Sequence, residues 1–300
     1  MTQPSYQSQA ANRRENRTNR ARMLISCPDR PGIVSAVSQF LYEQGANIVQ
    51  SDQYSMDPEG GMFFMRLEFD LNDLEQRLPA LQEDFTRVAD RFLMRWSVYR
   101  ASRRKRLAIF VSKEDHCLLE LLWQWQAGDL DADISMVISN HPNMRDLVES
   151  FGIPYYHVPV TPETKPEAER KQLELTKGKA DLIVLARYMQ ILSPKFIEEY
   201  PNRIINIHHS FLPAFVGSKP YQQAYERGVK LIGATAHYVT EELDAGPIIE
   251  QDVQRVTHRE NVNDLKRIGR HIERIVLARA VKWHIEDRIL VHGNKTVVFV

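Results

Sequence analysis

Several features that would narrow the chemistry at once are scarce in this chain. Among 300 residues there are two cysteines, Cys27 and Cys117, far apart and outside any CxxC or Cys/His spacing of the kind that holds zinc. A disulfide framework is thereby excluded, and both read as reduced, buried thiols. No apolar run approaches the roughly 20 residues that span a bilayer. The N-terminus lacks the apolar segment of a secretory signal, so the expected location is cytoplasmic. An excess of one charge is also missing. Lys and Arg number 39 and so do Asp and Glu, which leaves no general pull toward nucleic acid or an anionic membrane. Any ligand must be recognised locally.

What is present falls into two parts, and a hydrophobic content of 43% supplies a core for each. Residues 1–21 are rich in Gln, Asn, Ser and Arg and poor in aliphatics, so burial cannot offset their ordering entropy and a disordered tail is expected. From Arg22 the pattern changes. Met23-Leu24-Ile25-Ser26-Cys27 reads as a strand, Asp29-Arg30-Pro31-Gly32 as a turn, and Ile33, Val37, Phe40 and Leu41 recur at helical spacing up to Gly45. An extended stretch, a turn at Asp57-Pro58-Glu59-Gly60-Gly61 and a returning strand follow. A second helix carrying Leu74, Leu78, Leu81 and Phe85 and a last strand complete the order βαββαβ over residues 22–100. That order is the ferredoxin-like arrangement. With Cys27-Pro28-Asp29-Arg30-Pro31-Gly32-Ile33-Val34 and Gly45-Ala46-Asn47-Ile48, the segment resembles an ACT domain, a small regulatory module that often binds amino acids between copies. The resemblance implies an amino-acid effector near Asp29, Gly32 and Asn47 and assembly into a homo-oligomer.

A basic stretch, 101–106, suits an exposed linker, and it lacks the interleaved aromatics of a nucleic-acid groove. Over 107–300 strands alternate with helices, and Leu182-Ile183-Val184-Leu185 is apolar on both faces, as a central parallel strand should be. The alternation predicts a doubly wound α/β domain with a mostly parallel sheet, whose ligands gather at the carboxyl ends of strands.

Two segments there are unusual. In Ile204-Ile205-Asn206-Ile207-His208 the polar residues alternate with apolar ones, so Asn206 and His208 share one face of a strand. A second strand, Ala234-Thr235-Ala236-His237-Tyr238-Val239, runs into a polar loop holding Asp244 next to Ala245-Gly246-Pro247. An amide and an imidazole that donate to a carbonyl oxygen, with a carboxylate that takes a proton from the nucleophile, suffice for attack on a carbonyl without a metal or other cofactor. Spacing alone leaves open that Asn206 and His208 are hydrogen-bonded core residues and that Asp244 caps a turn. A metal reading through His208, His209, His237 and Asp244 is weakened because neighbouring strand residues point to opposite faces.

Three longer runs carry a second resemblance: Leu185-Ala186-Arg187-Tyr188-Met189-Gln190-Ile191-Leu192-Ser193-Pro194, Ile205-Asn206-Ile207-His208-His209-Ser210-Phe211-Leu212-Pro213 and Leu243-Asp244-Ala245-Gly246-Pro247-Ile248-Ile249. On these the segment 107–300 resembles the formyltetrahydrofolate-dependent formyltransferases and their hydrolytic relatives, the deformylases. The resemblance implies that Asn206 and His208 bind the formyl oxygen, that Asp244 manages proton transfer, and that Met189, Gln190, Ile191, Leu192, Val239 and Thr240 line the pterin slot. Gln190 stands where the transferases commonly carry arginine.

Three features favour water over an amine as formyl acceptor. The stretch Ser112-Lys113-Glu114-Asp115-His116-Cys117 has no glycine to cradle an acceptor's phosphate, and its carboxylates repel one. His209 replaces the proline of the transferase motif, and the ACT-like segment accompanies deformylases. Hydrolysis of 10-formyltetrahydrofolate to formate and tetrahydrofolate is expected, serving one-carbon balance and purine biosynthesis. Transfer to an amine is the alternative, and a folate or amino-acid sensor without turnover is the competing class.

Overall fold

The computed structural model describes residues 17–57, 60–214 and 220–300. The expectation of a disordered tail therefore lies, through residue 16, outside the described residues. The first strand, β1 (Arg20–Pro28), starts earlier than the boundary read from sequence, because Arg20 pairs with Asp70 at 2.8 Å and Ala21 is fully buried. It is followed by α1 (Ile33–Glu43), β2 (Asn47–Ser55), β3 (Met62–Asp70), α2 (Leu74–Phe92) and β4 (Arg95–Arg100), paired in the antiparallel order β2-β3-β1-β4. Odd-numbered positions of β1 and β3 (Met23, Ile25, Met65, Leu67) pack against Val37, Leu41, Leu81 and Phe85 of the helices. The other face combines apolar Leu24 and Phe64 with charged residues. Arg66 on β3 is fully buried, with Nε donating to the Asp287 carbonyl at 2.9 Å and Nη2 to the Glu286 carbonyl at 3.1 Å, while Arg22 pairs with Asp287 at 3.3 Å.

Those bonds explain a division that the sequence reading placed differently. One unit takes the chain up to Arg104 together with Glu286–Leu290 and Val297–Val300, and the other takes Lys105–Ile285 and Val291–Thr296. The linker is also shorter than the 101–106 of the sequence reading. Ala101 is buried, and Lys105 already begins a strand, its Nζ donating to the His284 carbonyl at 2.9 Å, while Arg106 pairs with Asp181 at 2.9 Å. These basic side chains have acceptors beside them.

The second unit runs β5 (Lys105–Val111), α3 (His116–Ala127), β6 (Ala132–Ser139), α4 (Arg145–Ser150), β7 (Tyr155–His157), α5 (Lys165–Thr176), β8 (Leu182–Ala186), α6 (Pro194–Glu198), β9 (Ile204–His208), α7 (Pro220–Arg227), β10 (Leu231–Tyr238), β11 (Ile248–Arg255) and α8 (Val262–Ile285). β12 (Ile289–His292) and β13 (Lys295–Val298) pair with each other at the end of the chain. The main sheet has the order β11-β10-β9-β8-β5-β6-β7; it is parallel from β9 through β7, and β10 and β11 run antiparallel. The chain leaves β5 in one direction toward β7 and returns at β8 in the other, which puts the switch in strand order between β5 and β8. β8 is buried along its whole length, as its unbroken apolar run requires. No described helix is long and apolar enough to cross a membrane.

Candidate active site

Beside that switch, β9 sits between β8 and β10, and Asn206 is in register with Leu185 on one side and His237 on the other. The isoleucines at 204, 205 and 207 are buried and fix the strand, so Asn206 and His208 emerge on one face as their alternation predicts. His237 orients the amide. Its Nδ1 donates to the Tyr238 carbonyl at 2.9 Å, which leaves Nε2 as an acceptor for the Asn206 Nδ2 at 3.3 Å. Burial holds this imidazole below its ordinary pKa and hence neutral at neutral pH. One N–H of Asn206 is thus fixed, and the other is left for a ligand.

Asp244 arrives from the loop after β10. Its φ of 55° lies in the left-handed region, which Asp tolerates better than most residues, and a Cβ at the nearby Gly246 would collide with the Tyr238 carbonyl. The loop thereby brings Asp244 Oδ2 to 3.2 Å from His208 Nδ1, while Oδ1 lies 3.8 Å from His237 Nε2. Burial alone would raise the Asp244 pKa, but the hydrogen bond and the charge of His208 outweigh it and hold the carboxyl below its ordinary value. It is an ionised acceptor. His208 Nε2 is buried and has no hydrogen-bond partner among the described residues.

These three side chains line one cavity of about 310 Å³, within the size range of small-molecule sites. All six residues expected on the pterin slot, Met189, Gln190, Ile191, Leu192, Val239 and Thr240, line it too. Met189 is 58% exposed and Ile191 60%, an apolar pair left open on the cavity wall.

The cavity also contains a residue to which sequence reasoning gave no role. Arg187, at the carboxyl end of β8, lines it, and its Nε lies 3.4 Å from Glu273, a carboxylate on α8 that is 1% exposed. Glu273 accepts from Tyr221 at 2.6 Å and meets His116 Nε2 at 2.8 Å. His209 lines the cavity as well, its ring 5.3 Å from that of His208, so the expectation that the two face opposite ways fails. β9 ends at His208, and the alternation ends with it. Burial and then the Arg187 cation push the His209 imidazole down to about 4. The signal for Arg187 was a charged residue closing an apolar strand.

His116, Cys117 and Glu273 have ligand-type atoms within 4.8 Å of one another, a grouping the cysteine spacing did not reveal. Glu273 already serves Tyr221, His116 and Arg187, and burial holds the Cys117 thiol well above its ordinary pKa, so the group fits a hydrogen-bonded network with a cation in place. Both cysteines are free and buried.

The residues expected to bind an effector lie elsewhere, in the first unit. Asp29 accepts from Ser55 Oγ, and Gly32 opens α1 at a φ of 93° that favours glycine. Asn47, however, pairs with Asp70 at one end of β3, whereas Pro28 pairs with Met62 at the other. Nine residues of strand separate the ends by roughly 27 Å at ~3.4 Å per step, so the three do not meet within one chain.

A family model described as "Formyl transferase" matches residues 105–281, and one described as "ACT domain" matches residues 21–86. The formyltetrahydrofolate deformylase of Bacillus subtilis (strain 168) is 60% identical over 297 residues, covering 98% of this chain and 99% of that protein. Its counterpart from Escherichia coli (strain K12) is 44% identical over 281 residues, covering 91% and 95%. A crystal structure of a formyltetrahydrofolate deformylase from Pseudomonas syringae pv. tomato str. DC3000 superposes with a TM-score of 0.89 at 50% identity, covering 98% of this chain and 100% of that one.

Proposed function

We propose how the cavity works from the premise that the chain belongs to the formyltetrahydrofolate deformylase family, hydrolases that convert 10-formyltetrahydrofolate to formate and tetrahydrofolate. Asp244 takes a proton from a bound water, and the oxygen adds to the formyl carbon. As negative charge grows on the formyl oxygen, the free N–H of Asn206 and an Nε2–H of His208 receive it. Collapse breaks the bond from carbon to N10, which takes the proton, and formate leaves. Asp244 Oδ2, 3.2 Å from Nδ1, fixes the plane of the His208 imidazole and with it the direction of Nε2.

One observation carries this reading: the imidazole nitrogen facing away from Asp244 is buried, lines the cavity with its residue and has no partner among the described residues. The test follows formate and tetrahydrofolate from 10-formyltetrahydrofolate with no amine present. Asp244→Asn should abolish turnover, and Asn206→Ala should lower kcat by roughly 10²–10³. Full activity in Asn206→Ala would defeat the assignment.

The apolar lining from Met189 to Leu192 with Val239 and Thr240 takes the pterin, and Gln190 leaves the folate tail to other contacts. The reaction needs no cofactor, since the trio supplies both donors and the base. Turnover supplies formate and balances the folate pools that feed purine biosynthesis. A cytoplasmic location is supported by two free buried thiols, which suit a reducing compartment. An ACT segment supports an amino-acid effector and a homo-oligomer, and β2, an edge strand with exposed Val49 and Tyr54, offers a face for a second copy.

A further inference from the structure

Arg187 follows β8 with a φ of 61°, a left-handed conformation that is costly for any residue with a long side chain. Its guanidinium is turned inward, 14% exposed, and anchored on Glu273 at 3.4 Å. Glu273 is itself fixed by the Tyr221 hydroxyl and His116, and Gly269 leaves room for that, since a Cβ there would collide with the Tyr221 hydroxyl. So the charge is compensated and the group is rigid. Yet Nε and Nη1 are both out of solvent and make no hydrogen bond among the described residues. Burying N–H donors unused is unfavourable unless something brought to the site accepts from them. Arg187 lines the same cavity as Asn206, His208 and Asp244.

We propose that Arg187 is a positioning residue for the attacking water and the reason that water rather than an amine takes the formyl group. A guanidinium only donates. Water has two lone pairs, so one can attack carbon while the other accepts an N–H of Arg187. An amine has one. Spending it on the formyl carbon leaves the buried donor facing an N–H, and an amine that arrives as ammonium meets a buried cation as well. The same cation favours the hydroxide that forms when Asp244 takes the proton. In the step itself the water O–H breaks, the oxygen bonds to the formyl carbon, the bond to N10 breaks with its electron pair, and N10 takes the proton. Nothing is oxidised or reduced. The inference rests on the Asn206, His208 and Asp244 reading of the cavity.

The experiment uses the full chain with 10-formyltetrahydrofolate and 2,2,2-trifluoroethylamine, an amine that is largely neutral at pH 7 and has no oxygen to accept from a guanidinium, and measures formate and the N-formyl amine above the uncatalysed background. The native protein is expected to give formate alone. Arg187→Gln should lose tenfold or more in formate kcat with little change in KM, and its products should shift toward the formyl amine. Arg187→Lys keeps a charge and donors and should give formate alone at a reduced rate. A native-like rate and product ratio in Arg187→Gln would overturn the inference, as would a fall in formate with no formyl amine appearing. If Arg187→Gln does not fold, formyl amine from Arg187→Lys overturns it and formate alone supports it. Asn206→Ala is run alongside: full activity there would sink the reading of the trio, whereas an inactive Asn206→Ala with an unshifted Arg187→Gln would sink this inference alone.

Discussion

The Asn206 amide can serve an oxyanion only if its plane is held, and the residue that holds it is His237, across the strand pair at 3.3 Å. Because Nδ1 is spent on the Tyr238 carbonyl, Nε2 must accept, and burial keeps it unprotonated at neutral pH. His237→Ala should therefore lower kcat about tenfold, less than Asn206→Ala, since the donor survives but loses its orientation. His237→Gln, which keeps an acceptor, should recover part of the loss. Steady-state kinetics on the two single variants and the double variant with Asn206→Ala check this: the double should be no worse than Asn206→Ala alone, and additive losses would mean that His237 acts on something else. The sign with pH follows from the same bond. Protonating Nε2 turns the acceptor into a donor, and because burial lowers that pKa, any loss of kcat from this source should begin below the ordinary histidine range near pH 6.5. Asn206 and His208 are legible in sequence because period-two alternation survives in an apolar strand. His237 as their orienter is not, because its partner depends on the register of β10 against β9, which no local pattern encodes.

Among the elements, α8 carries the residue that sequence reasoning passed over. Gly269, Ile272, Glu273, Val276, Leu277 and Ala280 form its buried stripe, and a glutamate there announces a partner inside the fold. Burial alone would raise its pKa, but His116 and Arg187 hold it down to about 2. A carboxyl whose folded-state pKa lies below its unfolded value adds stability above the unfolded value and loses it as pH falls through the folded one. For Glu273 the window runs from 4.5 down to about 2, and a depression of that size corresponds to roughly 3 kcal/mol at neutral pH. Glu273→Gln should thus be less stable than the native protein at pH 7, with the difference shrinking through that window, as denaturant unfolding at a series of pH values would show. A gap independent of pH would place the loss in packing. Strand β11 was missed for an opposite reason. Ile248–Arg255 has Glu, Gln and Asp on an edge that is largely open to solvent, so neither alternation nor an apolar run marks it. The central parallel strands, buried on both faces, are read at once.

At the scale of the whole molecule the two resemblances became two units, and the boundary between them is where local reading carried least. Glu286–Leu290 joins the first unit through carbonyls that accept from Arg66, a long-range pairing with no sequence signature. The effector residues pose a similar question of distance. Asp29 and Gly32 sit at the Met62 end of β3 and Asn47 at the Asp70 end, too far apart for one amino acid to touch both in one chain. In a two-fold pairing that set the first end of one chain against the second end of its partner, each site would draw residues from both. Two consequences separate this from a site within one chain. Diluting the protein below the dissociation constant of the pair should abolish any effect of an amino acid on turnover. Asp29→Ala and Asn47→Ala, each unresponsive alone, should regain a response when their subunits are mixed, because about half of the pairs in an equal mixture are mixed and each of those holds one intact site. Binding measured by calorimetry on the mixture, compared with each variant alone, decides it: no recovery on mixing means that the two ends never share a ligand.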